Sequence, residues 1–214
     1  MVTAADDVGH MPLGDGVAAD DLQDHLLQGV SRTFALTIPQ LPGRLRRVVA
    51  NGYLLCRIVD TIEDEPELAA VRKRRFCEQF SKVAAGEVSA ERFAAELHPL
   101  LSPGTPAVER ELIAVTPQVT AITRTFTPVQ REALATCVEI MSRGMADFQV
   151  HSDVRGLSRL EDMDRYCYYV AGVVGEMLTK LFCDYSPQIA AHREALMKLA
   201  VSFGQGLQMT NILK

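Results

Sequence analysis

One stretch constrains this chain more than any other: Leu45 to Ile62, set between Pro42-Gly43 and Pro66. At 100° per residue, Leu45, Val48, Val49, Gly52, Leu55, Cys56 and Val59 share an arc of roughly 120°. Ala50, Leu54 and Ile58 make most of the other side apolar as well. A helix that is apolar nearly all round belongs in a core. Yet Tyr53, Arg57, Asp60 and Asp64 recur at spacings of 4, 3 and 4. They fall within roughly 60° of one another and form a single polar stripe. Buried charge without a partner is costly, so the stripe must face a partner, water, a metal or a ligand.

Two accounts follow. Arg57 can pair internally with Asp60 or Asp64, and the stripe then satisfies itself. Alternatively the stripe faces a cavity, where Asp60 and Asp64, one turn apart, hold Mg²⁺ through oxygen ligands and leave coordination positions for phosphate. Glu63 lies on a different face and Glu65 near the helix end; each is an outer ligand or simply solvated. A second helix around residues 163–182 repeats the spacing with Tyr166, Val170, Val173 and Met177, an apolar stripe topped by one phenol. Ala171, Gly172 and Gly175 remove bulk beside it, at about 1 kcal/mol per mid-helix Gly relative to Ala. The compensation is either tight helix–helix packing or room for a long apolar ligand. A carboxylate-lined mouth above an apolar tunnel suits a diphosphate with a hydrocarbon tail.

The remaining chain reads as helix throughout, at about 19–29, 31–38, 43–64, 67–85, 89–100, 106–124, 128–150, 158–182 and 187–214. Short Pro- or Gly-marked breaks separate these segments. Strictly alternating, β-branched runs are missing, so the expectation is one all-α domain over residues 19–214 behind a mobile leader, residues 1–18. The 214 residues are 48% apolar and 23% charged with a net charge of −5, a globular composition with no basic field for nucleic acid. Five cysteines (Cys56, Cys77, Cys137, Cys167, Cys183) without a C-x-x-C pair read as reduced, buried thiols of a cytoplasmic protein. The first twenty residues lack a basic n-region and an apolar h-region, so no signal peptide is expected. No apolar run reaches the roughly 18 to 20 residues that span a bilayer. Arg72-Lys73-Arg74-Arg75 reads as a solvated face, with anionic lipid as the lesser reading. Gly204-x-Gly206 lacks a third Gly and a preceding strand, so it is no dinucleotide fingerprint. His192-x-Glu194 lacks the cysteine pair of a zinc deaminase, and Asp60 to Pro66 lacks the Gly of an EF-hand loop.

Five blocks in order resemble the squalene/phytoene synthase family of head-to-head prenyl synthases. They are Ser31-Arg32-Thr33-Phe34-Ala35-Leu36, Tyr53 to Asp64 ending in D-T-I-E-D, Ser142 to Phe148, Tyr166 to Gly175, and Gly206 to Leu213. S-R-T-F-A, D-T-I-E-D and Y-Y-V-A-G are more similar to squalene synthases than to phytoene synthases. The family carries a second aspartate-rich motif after the block matching Gln208 to Leu213, and Lys214 stands one residue before its expected first Asp. The resemblance therefore implies a C-terminally incomplete prenyl synthase domain.

The resemblance implies a single-domain helical bundle around a central cavity, of the class I isoprenoid synthase type. It implies condensation of two farnesyl diphosphates through presqualene diphosphate to squalene, with Mg²⁺ and with NADPH as reductant. By the same resemblance Asp60 and Asp64 bind Mg²⁺, while Arg57 and Tyr53 hold diphosphate oxygens with Ser31, Arg32 and Thr33. Tyr166 acts near the carbocation through its ring or hydroxyl, and Gln208 and Asn211 contact phosphate or bridging water. Phe34, Val170, Val173 and Met177 line the prenyl tunnel. Dehydrosqualene or phytoene synthase, or a non-catalytic assembly protein on the same fold, are the alternatives. An insoluble product further suggests peripheral contact with the cytoplasmic membrane face.

Overall fold

In the computed structural model, residues 16–151 and 159–212 are described. Of the leader expected over residues 1–18, residues 1–15 lie outside the described residues, as do Leu213 and Lys214; α1 (Gly16–Val30) begins within it, three residues before the expected domain start. The other helices are α2 (Phe34–Thr37), α3 (Gly43–Asp64), α4 (Ala70–Ala84), α5 (Ala90–Leu97), α6 (Ala107–Ala114), α7 (Thr116–Arg124), α8 (Pro128–His151), α9 (Leu160–Cys167), α10 (Val173–Tyr185), α11 (Pro187–Ala190) and α12 (Arg193–Ile212). A π-helical turn, Tyr168–Gly172, joins α9 to α10. No strand occurs among the described residues, and the all-α expectation holds.

The organising element is α3. It packs against α1, α4, α6, α7, α8 and α10, and Leu54, Leu55, Ile58, Val59 and Ile62 are wholly buried. Its boundaries follow from its prolines. Pro42 stands at the N-terminal flank, where no N–H is needed. Glu65 precedes Pro66 and is pushed into the extended region, which stops the helix at Asp64. The Lys73 ammonium donates to the Glu63 carbonyl and covers part of that helix end.

Three sequence expectations change. The single helix expected over 106–124 is two, α6 and α7, because Pro117 has no N–H to donate and its ring clashes with the preceding turn. The single helix expected over 187–214 is likewise divided, between α11 and α12. The segment expected as one helix over 158–182 contains the π-turn and continues to Tyr185.

The glycines beside Tyr166 answer to packing. A Cβ on Gly175 would stand 2.4 Å from the Ala200 carbonyl oxygen, and one on Gly204 would stand 2.3 Å from that of Ala171. So α12 lies backbone to backbone on α10 and the π-turn. From Leu199 to Ile212 this helix carries no charged residue, and Leu199, Phe203, Leu207 and Ile212 are exposed on its outer side. No helix among the described residues is long and apolar enough to cross a membrane. All five cysteines are free thiols, four of them buried and Cys183 half-buried; Cys56 on α3 faces Cys137 on α8 with 3.9 Å between the sulfurs.

Candidate active site

The polar stripe of α3 meets two neighbours that the sequence presents as separate segments. On one side runs the link between α1 and α2. The Tyr53 hydroxyl donates to the Val30 carbonyl at 3.2 Å, and its ring lies 5.2 Å from that of Phe34. Ser31, Arg32 and Thr33 are thereby held beside the stripe. The Ser31 hydroxyl accepts the Phe34 N–H at 3.0 Å, which starts α2. Burial raises the Tyr53 phenol above its ordinary value, against the opposing pull of Ser31 and Arg57. The hydroxyl expected to hold a diphosphate oxygen is engaged with Val30, so in this structure Tyr53 fastens the segment that carries Ser31 to Thr33.

On the other side stands α6, and with it a residue that the sequence does not single out. Glu109 is 7% exposed. Its Oε1 accepts from Arg57 Nη2 at 2.5 Å, and the Thr61 hydroxyl approaches its Oε2 at 3.2 Å. Asp60 is the weaker partner of Arg57, 3.6 Å from Nη1. The Arg57 Nε is buried and has no hydrogen-bond partner among the described residues. The self-satisfying Arg57–Asp pair that the helix alone allowed is thus largely replaced by a pair with α6. Nothing in A-V-E-R-E marks Glu109 as buried, since an acid in a helix's first turn is the ordinary solvated choice.

Turning Arg57 toward Glu109 leaves the two aspartates under-compensated. The Asp60 carboxyl is pushed up to about 7, mainly by burial, with Asp64, Glu63 and Glu109 adding to the rise and Arg57 opposing it. Its side chain keeps 27% of its exposure, so it is crowded yet within reach of solvent. Asp64 is raised too, by burial and by Glu109, while Arg57 and Lys73 hold it down. An acid at the last residue of a helix also meets the negative end of the helix dipole. Across the cleft, burial together with Glu63, Asp60 and Asp64 raises the Tyr166 phenol to about 12. Its ring packs edge-on at 5.5 Å against Phe148, near the end of α8.

Glu65, expected as an outer ligand or a solvated residue, is neither. It is 2% exposed and accepts from the Ser102 N–H at 3.1 Å and the Thr105 hydroxyl at 2.5 Å. These bonds hold its carboxyl below the usual carboxylate range despite burial. It ties the end of α3 to the turn that leads into α6. Of the expected tunnel residues, Val173 and Met177 are buried in the core, Val170 is half-buried and Phe34 is exposed. Met177 fills the space above Gly52, where a Cβ would stand 3.0 Å from its methyl carbon. Gln208 is half-buried and Asn211 exposed on α12. That helix reaches α9 through Gln205, whose side-chain amide donates to the Asp164 carbonyl at 3.0 Å.

The donor set fits a hard divalent cation. Two under-compensated carboxylates stand one turn apart, and a doubly charged ion would relieve both. Among the described residues no group of three or more His, Cys, Asp or Glu is placed to hold a metal. From the described residues an ion here would take the Asp60 and Asp64 carboxylates, oxygen ligands of the kind Mg²⁺ prefers. A dinucleotide turn is a different matter: Gly204 and Gly206 lie inside α12, and Gly204 is pressed against Ala171.

The described residues form an all-α fold in which carboxylates, a guanidinium and a phenol gather along one central, buried helix, a helical class with an acidic polar site. The comparisons narrow the class. The squalene/phytoene synthase family profile matches residues 27–214, and the chain belongs to that family. Squalene synthase BSS of Botryococcus braunii is 35% identical over 192 residues, covering 88% of this chain and 38% of the relative. Squalene synthase R6 of a Phoma species is 33% identical over 187 residues, with 86% and 42% covered. Among solved structures, a ligand complex of TcSQS superposes with a TM-score of 0.73 at 28% identity, covering 91% of this chain and 53% of that one. The chain thus spans about two fifths of the length of the curated relatives it matches.

Proposed function

We propose that the protein of which this chain forms part condenses two farnesyl diphosphates head to head, through presqualene diphosphate, to squalene. The observation that carries the reading is the Tyr53–Arg57–Asp60–Asp64 stripe on the most buried helix, with its carboxylates under-compensated. Similarity to squalene synthases supports this product over dehydrosqualene or phytoene.

Ionising an allylic diphosphate concentrates negative charge on the leaving group, and neutralising it is where such a site acts. Asp60 and Asp64 would hold Mg²⁺, which when bound supplies Lewis-acid neutralisation of the diphosphate. Arg57 would offer Nη1, the guanidinium nitrogen not held by Glu109, to a phosphate oxygen, with the orientation fixed by the planar group. Ser31, Arg32 and Thr33 offer further donors from the segment fastened by Tyr53. Tyr166 puts an aromatic face and a firmly protonated hydroxyl at the opposite wall, suited to a developing carbocation. Phe34, Val170, Val173 and Met177 would supply apolar surface for the prenyl chains, and Gln208 and Asn211, one turn apart on α12, would contact phosphate or bridging water. NADPH is the reductant in this reading, and no residue of the chain is assigned to it. Because the product is insoluble, the reading also places the protein in the cytoplasm with peripheral contact to the membrane face.

The test is product analysis of a family-length protein with farnesyl diphosphate and Mg²⁺, with and without NADPH. Squalene formed only with NADPH is expected. Dehydrosqualene or phytoene would move the assignment within the family, and folded protein that makes no hydrocarbon would refute it.

A further inference from the structure

Glu109 has no place in the reaction as stated above, yet it makes the shortest contact to Arg57 in the site. Its two oxygens are divided between residues one turn apart on α3: Oε1 takes the Arg57 guanidinium at 2.5 Å and Oε2 faces the Thr61 hydroxyl at 3.2 Å. Its own backbone is held firmly. The turn before α6 is anchored by Glu65 through Ser102 and Thr105. Arg110, the next residue, donates to the carbonyls of Leu101 and Ser102 at 2.8 and 2.9 Å. A buried carboxylate on a fixed turn thus grips one edge of a guanidinium that has a second, weaker acid beside it and a buried Nε with no partner.

The geometry points to Glu109 as the positioning residue for Arg57, holding the guanidinium by Nη2 so that Nη1, on the other side, stays available to a diphosphate and Asp60 stays free of a full ion pair. This rests on the diphosphate reading of the site. Without Glu109, the nearest strong acceptor for Arg57 is Asp60. A guanidinium that folds onto Asp60 both withdraws the donor and occupies the carboxylate.

Two physical effects predict opposite results on removing the charge. Glu109 is an acid within one side chain's reach of an anion site, so electrostatics alone makes its loss favourable to anion binding. Positioning makes the loss unfavourable, because a charge-assisted donor is no longer preorganised. The isosteric Glu109→Gln separates them.

The experiment uses the 214-residue chain, with inorganic pyrophosphate as the probe at saturating Mg²⁺, followed by calorimetry. In parallel, ¹⁵N NMR of the arginine side chains reads hindered rotation of the guanidinium, with Arg57→Lys identifying the Arg57 signals. In the unmodified chain, resolved Arg57 Nη signals are expected. Glu109→Gln should average them and weaken pyrophosphate binding about tenfold or more, the loss of a charged hydrogen bond. Glu109→Gln combined with Arg57→Lys should bind no more weakly than Arg57→Lys alone, because Glu109 acts only through Arg57. A urea transition like that of the parent chain shows that the variants are folded.

Resolved signals persisting in Glu109→Gln, losses that multiply in the double variant, or unchanged or tighter binding each overturn the inference. If the unmodified chain shows Glu109-dependent Arg57 signals but no pyrophosphate binding, the pair is purely structural. That outcome refutes the positioning role and places the fault in the diphosphate reading.

Discussion

Replacing Asp60 by Asn should make this chain more stable at pH 8, although it removes a residue central to the proposed function. Folding raises the Asp60 carboxyl from 3.8 to about 7. An acid whose folded value lies above its unfolded one favours folding in its protonated form. The folded state therefore loses stability as pH rises from near 4 to near 7, and the loss is complete above both values. A displacement of about three pH units at 1.36 kcal/mol each corresponds to roughly 4 kcal/mol. Partial exposure of the side chain and its remaining contact with Arg57 make this the ceiling of the effect. Asn has the same shape and no titration. The stability difference between Asp60→Asn and the parent chain should thus grow by several kcal/mol between pH 4 and pH 8. Urea unfolding at both pH values measures it, and comparing the two differences cancels any constant loss of hydrogen bonding. Millimolar Mg²⁺ at pH 8 should narrow the gap by stabilising the parent chain alone. A difference that does not change with pH, or a variant that is relatively less stable at pH 8, would refute the reasoning that Asp60 sits under-compensated in the cleft.

Glu65→Gln should cost about 2 kcal/mol or more, since a buried acceptor of a backbone and a hydroxyl hydrogen bond becomes a poorer one; a urea midpoint that does not move would dismiss its anchoring role. The Glu65 contribution should be present above pH 4.5 and fade as pH falls through the lowered folded value. Gly204→Ala should cost about 1–3 kcal/mol, because its Cβ would stand 2.3 Å from the Ala171 backbone oxygen and one of the two helices would have to shift; unchanged thermal stability would contradict the close approach of α12. In a family-length enzyme, Tyr166→Phe keeps the ring beside Phe148 and removes the hydroxyl. A retained rate of product formation assigns the role to the ring face, and a loss of about 10²-fold assigns it to the hydroxyl.

Much of this arrangement is local and therefore legible in the sequence. The limits of α3 follow from Pro42 and Pro66, and its polar stripe follows from spacing alone. What spacing cannot show is which element will meet a charged side chain. Arg57 looks outward to Asp60 three residues on, yet its main partner lies 52 residues away on α6. Glu109 and Glu65 carry no local mark of burial, because their environments are made by the turn at Ser102 to Thr105 only after the chain has folded. Pro117 was the readable signal for dividing α6 from α7. The glycines beside Tyr166 left packing and ligand space equally open, and only the approach of Ala200 and Ala171 distinguishes them.

The central position of α3 also governs how the site can change over time. Six helices surround it, so its amides should be among the slowest in the molecule to exchange with deuterium, opening only when the whole domain opens. Asp60, Arg57 and Tyr53 are mounted on the part of the chain least able to drift. Under the proposed function, variation that alters which hydrocarbon chain is accepted would be cheaper at the margins, in the Ser31–Phe34 segment and on the exposed faces of α9 and α12, where a substitution disturbs fewer neighbours. Lineages of this fold should accordingly diversify from the rim inward, with the helix that carries the charge chemistry the last to move.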